Sequence, residues 1–421
     1  MTPSFRLLTK RRFLPLFVTQ VLGAFNDNLF RTAMIMLVIY RIYNDPAQEA
    51  AFSAVAGGLF ILPFFLFSAL AGQLADCHDK AKIIRIVKTA EIGIMIVGAA
   101  GLLLHNIPLM LVALLSMGAH SSFFGPIKYA ILPQHLEEDQ ILPGTGLVEA
   151  GTYIGILAGT LVGGILASEH AAIGVLLVAG IGWLTGRQVP PAPPLTEDAG
   201  VDFHIIRSSI KLVSETMHVR RLFLAILSIS FFWAQGTMLA AQFPPLVKNV
   251  LGANQDVATL FLAVFSVGVA IGSIAVNRIL SGEVSARCSP LSALVMGLFI
   301  CHLWWTVHSW PAPGATLDDL SAFFAQEDSE WVIIDLFGVA IAGGMFVVPL
   351  YAFLTTTVAK TQTARTVAAN NIVNSGAMVI STVCLAGLVH IGLSVAETLL
   401  IVAVASLGAA YISWRLHKAC D

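Results

Sequence analysis

Charge is what this sequence has least of. Only 11% of its 421 residues are Asp, Glu, Lys or Arg, against roughly 25% in soluble domains, while 57% are hydrophobic. That shortage excludes a chain built for water. Cysteine is scarce too: Cys77, Cys288, Cys301, Cys384 and Cys420 have no metal-like spacing, so neither a zinc site nor a disulfide framework is indicated. A nucleophile–base constellation and a phosphate loop are also missing, so no catalysis, cofactor or metal is expected. The net charge of −2 offers no bulk electrostatic attraction for nucleic acid. A cleavable leader is not expected either. MTPSFRLLTKRR is basic, but the apolar run behind it is too long for a signal h-region and lacks a small-residue cleavage site.

What fills the chain instead is apolar sequence. Stretches long enough to cross a bilayer, ~20 residues each, recur at about 13–42, 50–76, 83–104, 107–130, 145–168, 170–186, 221–247, 256–281, 290–309, 331–358, 366–392 and 394–416. The expected fold class is an all-α membrane protein with 12 transmembrane helices. Of 23 Lys and Arg, only Arg31, Lys128, Arg41 and Lys248 fall within spans or in odd-numbered loops. The rest gather at the termini and around even-numbered loops, which predicts that both termini are cytoplasmic. From Pro311 to Glu330 the loop between spans 9 and 10 has five acidic residues and no basic one, as expected on the outside. Thr316 and Asp319 are positioned to cap a short helix there, with Leu317, Leu320 and Phe324 on one face.

The stiff segment RQVPPAPPLTEDAG after span 6 reads as a linker. Behind it Phe203, Ile206, Ile210, Val213 and Met217 form an amphipathic stripe flanked by Arg207 and Lys211, which predicts a helix lying along the inner membrane surface. The expected organisation is a six-helix bundle over 1–186, a cytoplasmic linker over 187–220 and a second bundle over 221–421. The halves repeat each other: GQLA at 72–75 matches GSIA at 272–275, PIKYAIL at Pro126 matches PLYAFL at Pro349, and LVEAG at 147–151 matches IVNSG at 372–376. Two related halves imply a site between them near mid-membrane.

Polar residues inside the spans are the candidates for that site, because charge in a span faces a cavity or a partner. In GAFNDNLFR, Asp27 lies about 14 residues into the first span, roughly 21 Å deep. Asn26 precedes it and Arg31 is one turn on, the same helical face. Asp27 and Arg31 are either an internal ion pair or a pair of cavity groups. Lys128 in GPIKYAIL is either a snorkelling lysine or a second cavity cation. Glu149 in LVEAG is either a ligand or a helix-interface group. Gln235 and Gln242 are two turns apart on one face of span 7, ahead of Phe243, Pro244 and Pro245, where the helix is expected to break. In span 11, Asn371 or Asn374 is expected to reach the cavity. Gly151, Gly155, Gly159 and Gly163, four apart in span 5, read as a packing stripe that lets backbones approach where the two halves slide against each other. His120, beside Ser121 and Ser122, reads as a bonded structural histidine more readily than as a proton relay.

GQLADCHDKAK after span 2 resembles the G-x-L-A-D-R-x-G-R-K signature of the major facilitator superfamily, through Gly72, Leu74, Ala75, Asp76, Lys80 and Lys82. Cys77 and Asp79 stand where that signature has Arg and Gly. The resemblance assigns Gly72, Asp76 and Lys80 to a gating motif, Gly72 for close helix approach and Asp76 at a helix end. GAFNDNLF, FFGPIKYAILP, GLVEAGT, GGMFVVPLYAFL and AANNIVNSGAM, together covering nearly the whole chain, resemble the lysophospholipid transporter family. They are most similar to the module fused to acyltransferase and acyl-carrier-protein synthetase domains. AQGTMLAAQFPP lacks the Arg of stand-alone members in span 7, and no H-x-x-x-x-D acyltransferase signature occurs.

The resemblance implies a lysophospholipid substrate, carried as a monomer through a bacterial inner membrane, with an acyltransferase or acyl-ACP synthetase as partner. Arg31 and Lys128 would then meet the phosphate, and Asp27 and Glu149 the amine. Two other readings are a proton-coupled efflux pump for small amphiphiles and a non-transporting anchor for an acyltransferase. The missing span-4 Arg and span-5 Gly-Pro element argue against the pump. The buried charges argue against the anchor.

Overall fold

A computed structural model of the chain describes residues 5–194, 204–280, 285–314, 316–357 and 363–420. Twelve α-helices of 19 residues or more occur among them. The first six are α1 (Leu14–Leu37), α2 (Pro46–Cys77), α3 (Lys80–Leu103), α4 (Ile107–Ala130), α5 (Glu138–Ile165) and α6 (Ser168–Gly186). The next six are α7 (Arg220–Asn249), α8 (Gln255–Ile279), α9 (Ser289–His308), α10 (Ser329–Thr356), α11 (Thr363–His390) and α12 (Val395–Cys420). Ten are long and apolar enough to cross a membrane. Of the other two, α1 interrupts its apolar run with FNDN, and α5 is apolar over Ala150–Ile165 among the described residues. Side chains such as Ile86, Leu177 and Leu298 are more than half exposed on these helices, an apolar surface that only lipid satisfies.

The chain divides into two compact units, Met1–Val38 with Leu62–Ser209, and Ile39–Ile61 with Ile210–Asp421. In the first, α1 packs on α5 and α6, and α3 packs on α4 and α6. In the second, α7 packs on α11 and α12, and α9 packs on α10 and α12. Shifted by six helices, these four pairs coincide, whereas the packing of α8 on α10 has no equally extensive counterpart between α2 and α4. The repeat suspected from short sequence matches is thus a repeat of packing.

Close approach follows from the glycine stripe. A methyl group added at Gly155, Gly159 or Gly163 of α5 would meet the main-chain carbonyls of Val21, Phe25 and Leu29 on α1. Backbones that touch backbones have nothing flexible to move aside, so Gly159→Val separates α1 from α5. The expected cost is about 1–3 kcal/mol, seen as a lowered unfolding temperature of the detergent-solubilised protein. Gly163→Ala, one turn on, has the smaller effect. The second unit uses the same device, with Gly272 against Ile341 and Gly344 against Val269.

Pro244 and Pro245 do not break α7, which continues to Asn249. Pro245 has no N–H for the carbonyl of Ala241, four residues back. Ser53 Oγ donates to that carbonyl, and such side-chain substitution lets membrane helices carry proline. Near the same end of α7, Glu49 is fully buried and accepts from Lys248 Nζ and Asn249 Nδ2, each at 2.6 Å.

Asp79, at the glycine position of the signature, caps α3 by accepting from Ala81 N at 2.9 Å, and also accepts from Ala192 N at 3.0 Å. It thereby fastens the segment after α6 to the start of α3. A helix over Ile205–Met217 leaves Ile206 and Ile210 exposed. Phe203, expected in the same stripe, lies outside the described residues.

In the acidic loop the short helix is Leu320–Ala325, capped by Asp319. The main-chain N–H of Ala322, and then Ser321, hold the Asp319 carboxyl below its ordinary range. Its buried residue is Phe323, against Phe261 and Trp310. The expected Leu317, Leu320 and Phe324 stay exposed, because one turn buries one ring.

Candidate functional site

The first unit contains a cluster of ionisable side chains from three helices. α1 contributes Asn26, Asp27, Asn28 and Arg31, α3 contributes Lys88 and Glu91, and α4 contributes His120 and Ser121. Asn26, Lys88 and Glu91 are at most 1% exposed, His120 6% and Asp27 8%. Burial of this many charges is costly unless each is paired and hydrogen-bonded, so the bonds decide what the cluster is.

Glu91 is the hub. It accepts from Lys88 Nζ at 2.6 Å and from Asn26 Nδ2 at 3.1 Å, and His120 Nε2 comes within 3.3 Å of it. That last approach is not a hydrogen bond, though it is short enough for charge on either group to be felt by the other. Lys88 fits only because its surroundings are small or aromatic. Its Nζ lies 5.3 Å from the centre of the Phe124 ring and 3.0 Å from where a side chain on Gly23 would begin. Gly182 and Gly186 of α6 border the same stem. Gly23, which opens GAFNDNLFR, makes room for an ammonium from another helix.

Asp27 is not sealed by Arg31. Ser121 Oγ donates to Asp27 Oδ2 at 2.5 Å, and Arg31 donates to Asn28 Oδ1 at 2.9 Å. The second oxygen of Asp27 is buried and has no hydrogen-bond partner among the described residues, as does Asn26 Oδ1. An orphaned buried carboxylate oxygen asks for a missing donor. Toward the end of α4, Lys128 Nζ donates to Thr152 Oγ1 at 3.2 Å. Thr152 in turn donates to Gln20 Oε1 at 2.8 Å. Lys128 is therefore bonded into the α1–α5 contact. The side chains of Glu149 and Asp76 lie outside the described residues. Lys80 is buried, and nothing among the described residues lies within 4 Å of a side chain built at Gly72, so the close approach expected there is not seen.

In the second unit, Asn374 joins three helices. It accepts from Ser230 Oγ at 2.7 Å and donates to Tyr351 Oη at 3.4 Å, while Trp233 Nε1 donates to the same hydroxyl at 2.8 Å. These bonds link α11 to α7 and α10. Asn371 is exposed. Gln235 Nε2 donates to Ser406 Oγ at 3.4 Å, whereas both polar atoms of Gln242 are buried without a hydrogen-bond partner among the described residues. Between α8 and α10 an apolar cleft of about 400 Å³ is lined by Ala263, Val264, Val267, Ile333, Ile334 and Phe337. It suits hydrocarbon.

Lys88 and Glu91 are the residues sequence reasoning missed. In KAKIIRIVKTAEIG they look like the tail of a cytoplasmic basic cluster. The available signal was a Lys and a Glu three residues apart, within a run otherwise apolar up to Leu103.

Long apolar helices in two repeating units, with a charged and half-satisfied cluster buried in the first, define a membrane carrier. The sequence model of the Major Facilitator Superfamily matches residues 16–382, and the chain belongs to that superfamily: it is a multi-pass membrane transport protein. The lysophospholipid transporter LplT of Photorhabdus laumondii is 27% identical over 345 residues, 80% of this chain and 78% of that protein. Its counterpart in Cronobacter sakazakii is 26% identical over 352 residues, 82% and 81% of the two chains. A D-xylose–proton symporter has the same fold with a TM-score of 0.72 at 13% identity, covering 96% of this chain and 97% of its own. The POT family transporter PepTSo shares the fold with a TM-score of 0.72 at 11% identity, with 97% and 98% covered.

Proposed function

We infer that the protein carries lysophospholipids, such as lysophosphatidylethanolamine, from the outer to the inner leaflet of a bacterial inner membrane. The termini lie on the cytoplasmic side, and the protein works as a monomer. The observation that carries this reading is the orphaned carboxylate oxygen of Asp27, one helical turn from the guanidinium of Arg31. A lysophosphatidylethanolamine head presents an ammonium and a phosphate. Asp27 supplies an acceptor for the first, and Arg31 a donor fork for the second. Pairing both charges inside the helices replaces the hydration that the hydrocarbon core denies. Two relatives carry lysophospholipid transporter as their name, which is the same chemistry. In the inner leaflet a partner acyltransferase or acyl-ACP synthetase re-acylates the cargo.

The test is a proteoliposome assay with labelled lysophosphatidylethanolamine, a diacyl phosphatidylethanolamine and a cationic drug in parallel. Only the lysolipid is expected to cross at a rate well above empty liposomes. Movement of the drug alone would transfer the protein to the efflux class, and movement of none would leave an anchor.

A further inference from the structure

We propose that Tyr411, Trp414, Arg415 and Lys418, near the C-terminal end of α12, form a binding site for the phosphate of an anionic phospholipid. Val404, Leu407, Tyr411, Trp414 and Lys418 recur three and four residues apart, which places them on one stripe of the helix. All five are exposed. Along the stripe the chemistry changes from hydrocarbon to ring to cation. That order matches a leaflet read from its acyl chains outward, because aromatic rings settle at the interface and long cationic side chains reach past it.

Ordinary snorkelling cations are loose, whereas these two are held. Arg415 Nη1 donates to Tyr411 Oη at 3.0 Å, and the guanidinium carbon lies 5.8 Å from the centre of that ring. Lys418 Nζ lies 4.1 Å from the centre of the Trp414 ring, and the two rings are 6.1 Å apart. A ring face attracts a cation without cancelling its charge. Neither cation has a carboxylate within ion-pair distance among the described residues, and Asp421 lies outside them. Arg415 uses one N–H on Tyr411 and has others for a phosphate oxygen.

The surroundings add charge of the same sign. Leu222, near the start of α7, shares an apolar cluster with Leu416, and Ala419 packs against it. Arg220 and Arg221, which open α7, are thus at this end of the unit, and both are exposed. A zwitterionic head brings no net charge to this end, whereas an anionic head answers it. On the topology inferred above, the leaflet is the cytoplasmic one, whose anionic lipids attract such clusters. The lipid is a resident of the surface of α12, so the site holds whatever the cargo.

Trp414 serves as the reporter, because bromine on an acyl chain quenches tryptophan at contact. The full-length protein is placed in phosphatidylcholine nanodiscs with increasing brominated-chain phosphatidylglycerol, or with brominated-chain phosphatidylcholine for comparison. The Trp414 emission is the part missing from Trp414→Phe, and each variant is read against its own Trp414→Phe counterpart. Brominated phosphatidylglycerol is expected to quench it at a mole fraction at least about tenfold lower than brominated phosphatidylcholine, the combined effect of two cations at a membrane surface. Arg415→Gln with Lys418→Gln brings the two lipids level, and Lys418→Gln alone removes part of the preference. Tyr411→Phe, which keeps the ring and both charges but releases the guanidinium, narrows it. Equal quenching by the two lipids in the unaltered protein, or a preference that the double variant retains, overturns the proposal. So does loss of the preference on adding glycerol 3-phosphate to the buffer, which would make this a site for a soluble phosphate.

Discussion

Asp27→Asn abolishes lysophospholipid uptake by spheroplasts while leaving the amount of transporter in the membrane unchanged. Asparagine has nearly the same shape, so the contact with Ser121 and the packing around α1 survive. What disappears is the negative charge, and with it the acceptor for an ammonium. A hydrogen bond to a charged partner contributes up to about 3 kcal/mol, which corresponds to a roughly 100-fold loss of affinity. The proposed binding role rests on the Asp27 Oδ1, which is buried without a hydrogen-bond partner among the described residues. Arg31→Lys is the companion variant. It keeps the charge but loses the fork that suits phosphate, so it is expected to weaken uptake rather than remove it. Uptake of labelled lysophosphatidylethanolamine, normalised to protein detected by immunoblot, checks both. Normal uptake by Asp27→Asn would remove Asp27 from headgroup binding and leave it as the α1–α4 link alone.

GAFNDNLFR was legible because a carboxylate and a guanidinium in an apolar span need a reason, and helical geometry puts them one turn apart. Its partners were not legible. Hydropathy shows that a charge is inside but not which helix answers it, and the answer came from Ser121, 94 positions away. Lys88 and Glu91 escaped for a different reason. Depth is counted from where a helix begins, and the Asp79 cap sets the start of α3 at Lys80. Lys88 thus lies roughly 12 Å inside, where the sequence alone suggests a headgroup-level lysine. The glycine stripe was legible as packing because four-residue spacing of side-chain-free positions has one structural use, but it packs on α1 of its own unit rather than between the halves. Span 11 shows the limit of composition. Its asparagines look alike, yet Asn374 bonds Ser230 and Tyr351 while Asn371 is exposed. Only rotation of the helix decides that.

Glu91→Ala is expected to be the most destabilising single substitution in the first unit. It leaves the Lys88 ammonium fully buried with no carboxylate, facing Phe124 and glycine backbones that cannot solvate it. Breaking a buried pair from one side costs about 3–5 kcal/mol, an apparent Tm lowered on the order of 10 °C. Lys88→Ala costs less, because Glu91 retains the Asn26 amide and the nearby His120 ring. The informative variant is the double one, Lys88→Met with Glu91→Gln. It removes both charges at similar volume, and such replacements are often neutral or stabilising, so Tm should return to near wild type. Uptake should not return with it, since a neutral glutamine no longer holds the Asn26 amide beside Asp27 with the same strength. Thermal unfolding in detergent and spheroplast uptake, measured on the same three variants, separate the two effects. A double variant that is stable and fully active would reduce the pair to scaffold, and one no more stable than Glu91→Ala would mean that the charges are not what the site is built around.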